Sequence, residues 1–185
     1  MTVMEKTKWT IERLVEIGQD EAFELWKDLP AVDINELDGE YAGYVPTGTD
    51  EELRKRVDEI QFNESSVKGY WLGKAYKALS ATKGEGYNHW RRLGRKVERS
   101  IQFTTEIRTS YIDGKPSLMM KYSPFNNRNA PSNLTDEIRK LDDGLYIGAA
   151  TTKLPDDTRT VPNLFILTGP IGKWVGVDDE EAELK

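Results

Sequence analysis

The chain has 185 residues, with 26 basic and 32 acidic side chains that give a formal net charge of −6 at pH 7. It contains no cysteine, which excludes disulfides and cysteine-ligated zinc. The acidic balance argues against a nucleic-acid partner, because binding a phosphate backbone requires clustered Lys and Arg. The N-terminus lacks the apolar stretch of a signal peptide, and no apolar run approaches the ~20 residues that cross a bilayer. We therefore expect a cytoplasmic protein without a membrane partner.

The length predicts one domain over residues 1–185, since domains of roughly 100–200 residues are common. Within it we distinguish a helical N-terminal segment at 1–30, a β-barrel at 31–170 and an acidic tail at 171–185. The tail is expected to fray from Asp178 onward, because its acidic side chains offer nothing to bury.

Helical periodicity is confined to a few segments. Thr10 is a suitable N-cap for a helix that is interrupted at Gly18 and ends at Pro30. Residues 51–60 favour a second short helix with Leu53, Val57 and Ile60 as its apolar face. A further short helix is predicted over residues 134–141.

From Val67 onward the pattern is mainly that of β-strands. Residues 100–111 alternate strictly, with Ile101 and Phe103 on one face and Glu106 and Arg108 on the other. Asp113-Gly114 then predicts a tight turn, and further strands are predicted at 118–122, 145–151 and 163–168. Strands at this spacing predict a mainly β fold, an antiparallel β-barrel or strongly curved sheet of the lipocalin-like kind.

Several short motifs resemble those of the GxWxG-motif proteins of bacteria and fungi. The segment Gly39-Glu40-Tyr41-Ala42-Gly43 is similar to their G-x-W-x-G signature, with Tyr41 in place of the usual Trp. The motifs that accompany it, in the order that the family shows, are Asp28-Leu29-Pro30, Trp71-Leu72-Gly73-Lys74-Ala75-Tyr76, Leu118-Met119-Met120-Lys121-Tyr122 and the stretch from Asp136 to Gly148. The resemblance runs from about Phe23 to Leu167 and includes the companion C-terminal domain of unknown function. It implies a small lipocalin-like β-structure and no agreed activity.

A barrel of about eight strands encloses an interior that can hold one small ligand. Aromatic side chains with a polar group suit such an interior, because the ring buries apolar area while the hydroxyl or indole N–H orients the ligand. The chain is rich in them, and core packing would explain them equally well. The substrate-binding candidates are Tyr41, Trp71, Tyr76, Tyr122 and Tyr146.

Two basic or titratable candidates depend on which way a strand faces. Lys74 would bind a carboxylate, enolate or phenolate if it faced a cavity, and would protect a strand edge if it faced outward. His89 is the only histidine, so any imidazole acid–base step needs it, but its surroundings favour an exposed loop. It precedes the basic run from Trp90 to Lys96. This run would either bind an anion or form the charged surface of a loop or strand edge.

The remaining catalytic candidates are charged pairs. Glu106 and Arg108 line the interior if the polar face of their strand points inward, and are ordinary surface charges otherwise. Asp136 and Arg139 lie three residues apart on the predicted helix, where they form either a ligand contact or a helix-end ion pair.

No nucleotide, metal or nucleophile motif stands out, and no cofactor is expected. Two functions remain open. One is a cofactor-independent cyclase or isomerase acting on an apolar metabolite, which would enclose a flexible substrate and aim polar groups at a developing enolate. The other is a non-catalytic binding or carrier protein for a hydrophobic small molecule. A homodimer is left open.

Overall fold

Eight antiparallel strands close into a barrel in the computed structural model, which describes residues 8–94, 96–128 and 130–178. Each strand pairs with the next along the chain, and β8 pairs with β1 to close the cylinder. The strands are β1 Gly39–Tyr44, β2 Tyr70–Ala78, β3 Lys83–Arg91, β4 Val97–Thr109, β5 Pro116–Lys121, β6 Leu134–Asp142, β7 Leu145–Thr152 and β8 Asn163–Gly172. The predicted antiparallel, lipocalin-like barrel is confirmed, in its closed form.

Two N-terminal helices cover one outer face of the barrel. Helix α1, Ile11–Glu16, begins at Thr10, whose hydroxyl accepts a hydrogen bond from the backbone of Arg13 at 3.2 Å. Helix α2, Gly18–Lys27, follows directly. Leu14, Ala22 and Trp26 are buried against an outer patch of β7 and β8 that consists of Leu145, Ile147, Ala149, Leu164 and Ile166. Burial of this apolar patch holds the helices in place.

The predicted helix over residues 134–141 is wrong, because this segment forms β6. Leu134, Asp136 and Ile138 face the barrel interior, whereas Glu137 and Arg139 face outward beneath other parts of the chain. Both faces are therefore buried, and polar residues occur on both. This hid the two-residue period that marks a half-exposed strand.

Glycines of the Gly39–Gly43 motif and of the Trp71–Tyr76 motif let β1 and β2 approach each other. Gly73 has φ +143°, and a Cβ there would lie 1.9 Å from the carbonyl oxygen of Tyr41. A Cβ at Gly43 would lie 2.5 Å from carbons of the Trp71 ring. Gly43 thus makes room for a tryptophan supplied by the neighbouring strand, which gives both motifs a common packing reason.

The barrel interior is solid at one end. The rings of Tyr76 and Tyr146 each meet the ring of Tyr41 edge to face, with centroids 5.7 and 5.8 Å away. The short 3₁₀ helix Ile34–Glu36 packs onto this end through Val32, Ile34 and Leu37. The opposite end lies beside a third helix, α3 Glu51–Ile60, and remains open.

No helix among the described residues has the length and apolar character needed to cross a membrane.

Candidate functional site

The open end of the barrel contains a cavity of about 570 Å³. Its walls are mostly apolar or aromatic, and they come from the barrel strands, from α3 and from the loop that joins α3 to β2. The lining side chains that form the apolar wall are Val45, Leu53, Val57, Ile60, Trp71, Trp90, Ile101, Ala130, Leu134, Ala150, Leu164 and Phe165. A cavity of this size and lining is typical of small-molecule sites.

A buried polar cluster forms the inner end of the cavity, with Lys74 at its centre. The Lys74 ammonium lies 2.9 Å from Oδ2 of Asp136 and donates hydrogen bonds to Oδ1 of Asn88 at 2.9 Å and to the Tyr122 hydroxyl at 2.8 Å. The Tyr122 hydroxyl in turn donates to Oδ2 of Asp136 at 2.6 Å. Trp71 Nε1 donates to Asn88 Oδ1 at 3.2 Å, which fixes the amide. All five side chains line the cavity.

Aromatic rings surround the Lys74 ammonium. Its nitrogen lies 5.3 Å from the ring centroids of Phe103 and Phe165 and 5.5 Å from that of Tyr122. Ring faces attract a cation, so they compensate part of the hydration that the ammonium loses on burial. Burial, and then the nearby Asp136 charge, raise the pKa of Tyr122 well above its usual value, so its hydroxyl keeps its proton.

Two buried polar atoms of cavity-lining residues have no hydrogen-bond partner among the described residues. They are Oδ1 of Asp136, an acceptor, and Nε1 of Trp90, a donor. Buried polar atoms are nearly always paired, since an unpaired one costs about 1–3 kcal/mol. Residues that line the cavity thus leave one acceptor and one donor without a partner among the described residues.

Four of the residues that meet here are predicted site residues, namely Lys74, Asp136, Tyr122 and Trp71. Asn88 and Trp90 were not predicted to line the site. Both lie on β3 on the same side as Gly84 and Gly86, and assigning residues 83–91 as a strand would have aligned them. The glycine-rich composition of this segment concealed the strand.

The other aromatic candidates occupy the solid end. Tyr41, Tyr76 and Tyr146 are buried in the core and do not line the cavity. The Tyr76 hydroxyl lies 3.2 Å from the sulfur of Met120, and burial raises its pKa well above the usual value. These three residues pack the barrel.

The expectation that His89 is an exposed loop residue is wrong, because it lies in the middle of β3 and is 2% exposed. It points to the outside of the barrel, where Nε2 lies 3.2 Å from the Tyr41 carbonyl oxygen and Nδ1 lies 4.0 Å from Glu40. Burial lowers the pKa of His89, although the Glu40 carboxylate opposes this shift. Glu40 also accepts hydrogen bonds from Arg99 at 2.6 Å and Tyr87 at 2.9 Å. This group lies across the barrel wall from the cavity.

Glu106 and Arg108 lie on the outer face of β4 and pair with each other at 2.7 Å. Their side chains are 36% and 52% exposed, so they are surface charges. Two members of the basic run are also paired, Arg91 with Glu64 and Arg92 with Glu98, the second pair at 2.6 Å. None of these charged side chains lines the cavity.

Arg139 and Asp136 do not pair, because they lie on opposite faces of β6. Arg139 is fully buried outside the barrel, where its guanidinium carbon lies 3.8 Å from the Trp26 ring centroid. It donates to the backbone carbonyls of Trp26 and Lys27. It also forms a bidentate ion pair with Asp113, in which both N–O distances are 2.7 Å. Arg139 therefore fastens the end of α2 to the barrel.

Helix α3 forms one side of the cavity opening. Its cavity-facing side chains are Leu53, Arg56, Val57 and Ile60, and none of its residues is fully buried. Ile60 is 61% exposed. Helix α3 thus borders the opening while burying little apolar surface, which is typical of elements of low local stability.

Among the described residues, no cluster of three or more His, Cys, Asp or Glu side chains is arranged to hold a metal ion.

Comparison with known proteins adds evidence on the fold. No protein-family model and no curated protein matches the chain. A protein of known structure from Thermomonospora curvata aligns with a TM-score of 0.53 at 19% identity, covering 85% of this chain and 95% of that one. The odorant-binding protein OBP1 aligns with a TM-score of 0.39 at 11% identity, covering 78% of both chains. The first likeness supports a shared fold, and the second is too weak to support an inference.

The Arg139 pair predicts how acid affects stability. Hydrogen bonds from Arg139 lower the pKa of Asp113 to about 2, from an ordinary 3.8. A depressed carboxylate pKa stabilises the fold above the unfolded-state pKa and loses that effect as pH falls. Asp113→Asn should cost about 2 kcal/mol at pH 7, the usual size for hydrogen bonds to charged groups. The difference from the parent should shrink as pH falls from about 4 to 2. Urea unfolding across this range measures it, and a pH-independent difference would contradict the assignment.

Proposed function

We propose that the protein binds one small, largely apolar molecule in the open end of its barrel. The observation that carries the proposal is the cavity of about 570 Å³ with aromatic walls and the Lys74, Asp136, Tyr122 and Asn88 cluster at its inner end. An eight-stranded barrel has room for one such ligand. The apolar walls supply burial, and the polar cluster orients the ligand.

Membership of the GxWxG-motif proteins is part of this proposal. Its support is that the two glycine-containing motifs meet in the barrel, where Gly43 lies against the Trp71 ring and Gly73 lies against the Tyr41 carbonyl. The substitution of Tyr41 for the usual Trp falls in the solid end, away from the cavity. Because Tyr41 does not line the cavity, the Tyr-for-Trp difference does not affect the cavity walls.

Filling the cavity tests the binding proposal. Ala150 is small and lines the cavity, so Ala150→Phe should place a ring where the ligand lies. The neutral fluorescent probe N-phenyl-1-naphthylamine should bind the parent protein saturably with a Kd near micromolar, about −8 kcal/mol. The variant should bind at least tenfold more weakly.

The control is Ala81→Phe, which adds the same ring at an exposed position between β2 and β3. It should bind the probe like the parent. If Ala150→Phe is folded by circular dichroism and binds as tightly as the parent, the cavity is not the binding site.

Catalysis at the same cluster is a second candidate function. The favouring observation is that Tyr122 lies between a cation and a carboxylate, donating to Asp136 at 2.6 Å and accepting from Lys74 at 2.8 Å. A passive apolar carrier gains nothing from these buried charges, which are costly to desolvate. In a water-poor site, a carboxylate that takes a proton from carbon and an acid that returns one would isomerise or cyclise a carbonyl compound without a cofactor.

Deuterium exchange separates an enzyme from a carrier. Incubation with a metabolite extract in D₂O, followed by mass spectrometry, should show one compound that gains deuterium only when the protein is present. Tyr122→Phe should slow this exchange about a hundredfold or more, the usual contribution of a positioned acid or base.

The control, Tyr76→Phe, removes a hydroxyl from an equally buried tyrosine that does not line the cavity. It should exchange at the parent's rate. Tyr122→Phe exchanging within a few-fold of the parent would leave the carrier as the function.

A further inference from the structure

The cavity is more cationic than the protein that contains it. Its charged lining residues in the described chain are Arg56, Lys68, Lys74 and a single carboxylate, Asp136. The whole chain, by contrast, carries a net charge of −6. A local excess of positive charge in an apolar cleft attracts anions, because the low-dielectric walls concentrate the field.

Lys74 already has its partners within the protein. Its ammonium donates to Asn88 at 2.9 Å and to Tyr122 at 2.8 Å, and it lies 2.9 Å from Oδ2 of Asp136. Its charge is also matched by Asp136. The anion-binding group must therefore be another of the cationic side chains.

Of the two remaining cations, Arg56 is exposed and Lys68 is half-buried. Lys68 lies in the loop between α3 and β2, which the bonds from Trp71 N to Gln61 O at 2.8 Å and from Gly69 N to Ser66 O at 3.1 Å hold in place. Its neighbour Val67 is 84% exposed, whereas Lys68 is half-buried and lines the cavity. Among the described residues, Lys68 has no hydrogen-bond or ion-pair partner.

Burial and nearby charges shift the pKa of Lys68. Burial lowers the pKa of Lys68, and repulsion from Lys74 lowers it further, while Asp136 acts in the opposite direction. A half-buried ammonium without a partner is stabilised when an anion approaches it. The cavity thus combines a large apolar surface with a half-buried cation, Lys68, that has no partner among the described residues.

We propose that the ligand of the cavity is an apolar organic anion whose anionic group pairs with Lys68, while its apolar body lies against Trp71, Trp90 and Phe165. This inference rests on the proposed function and specifies the chemical class of the ligand. Arg56 is exposed on α3 beside the opening, where its charge would attract the same anion.

Two dyes with the same rings test the proposal. N-phenyl-1-naphthylamine is neutral, and 8-anilino-1-naphthalenesulfonate adds one sulfonate. The parent should bind the sulfonate at least tenfold more tightly than the neutral dye. Lys68→Met keeps the aliphatic part of the side chain and removes the charge, so it should abolish most of that preference, measured as the ratio of the two Kd values in the same variant.

The matched control is Lys83→Met, at the exposed start of β3 outside the cavity lining. It should keep the parent's preference. Equal preference in the parent and Lys68→Met, with the neutral dye still bound, would overturn the anion proposal and leave the binding proposal standing. An equal loss in Lys83→Met would also overturn it, since the effect would then come from overall charge. Failure of the parent to bind the neutral dye would overturn the binding proposal itself.

Discussion

The fold is organised around a charged lysine inside a β-barrel. Removing an ammonium from water costs several kcal/mol unless partners compensate for it, and Lys74 finds those partners on three other parts of the barrel wall. Asn88 comes from β3, Tyr122 follows β5 and Asp136 comes from β6. Asn88 is the cross-strand neighbour of Lys74, but β5 and β6 come near β2 only because the sheet curves into a barrel. The curvature of the sheet and the pairing of this charge therefore depend on each other. The same group forms the inner end of the cavity, so the residues that stabilise the barrel are also part of the proposed binding site.

The division of the interior into two halves follows from side-chain volume. At the solid end, rings from β1, β2 and β7 meet edge to face and leave no space. At the open end, the small side chains of Ala150 and Ala130 line the cavity. Helix α3 covers the opening, and none of its residues is fully buried. A barrel filled at both ends would be more stable and would bind nothing. The polar cluster lies between the solid end and the open end of the barrel. Its charged side chains are buried there and line the inner end of the cavity.

Much of the fold was predictable, because short sequence patterns indicate most of its helices, strands and turns. The Thr10 cap and the β4 alternation follow from chemistry within a few residues; the cap is present, and burial alternates over residues 101–106 of the predicted 100–111. The predicted tight turn at Asp113-Gly114 lies within a longer connection, residues 110–115. β6 was mistaken for a helix because both of its faces are buried, which removes the periodicity on which the assignment depends. His89 was expected in a loop because the glycines before it resemble loop residues, although in β3 a Cβ at Gly86 would lie 2.2 Å from the Phe103 ring. For the site, residue type singled out Lys74 and Asp136, but only the barrel register shows that they meet.

The measurement that tests this account most directly is a double-mutant cycle on the buried pair, by denaturant unfolding of Lys74→Met, Asp136→Leu and the double variant. Removing one partner leaves an uncompensated charge inside the barrel, so each single variant should lose about 3–5 kcal/mol of unfolding free energy. The double variant should lose much less than the sum of the two, because neither charge is left alone. Single variants within about 1 kcal/mol of the parent, with additive effects, would contradict the claim that the barrel is organised around Lys74.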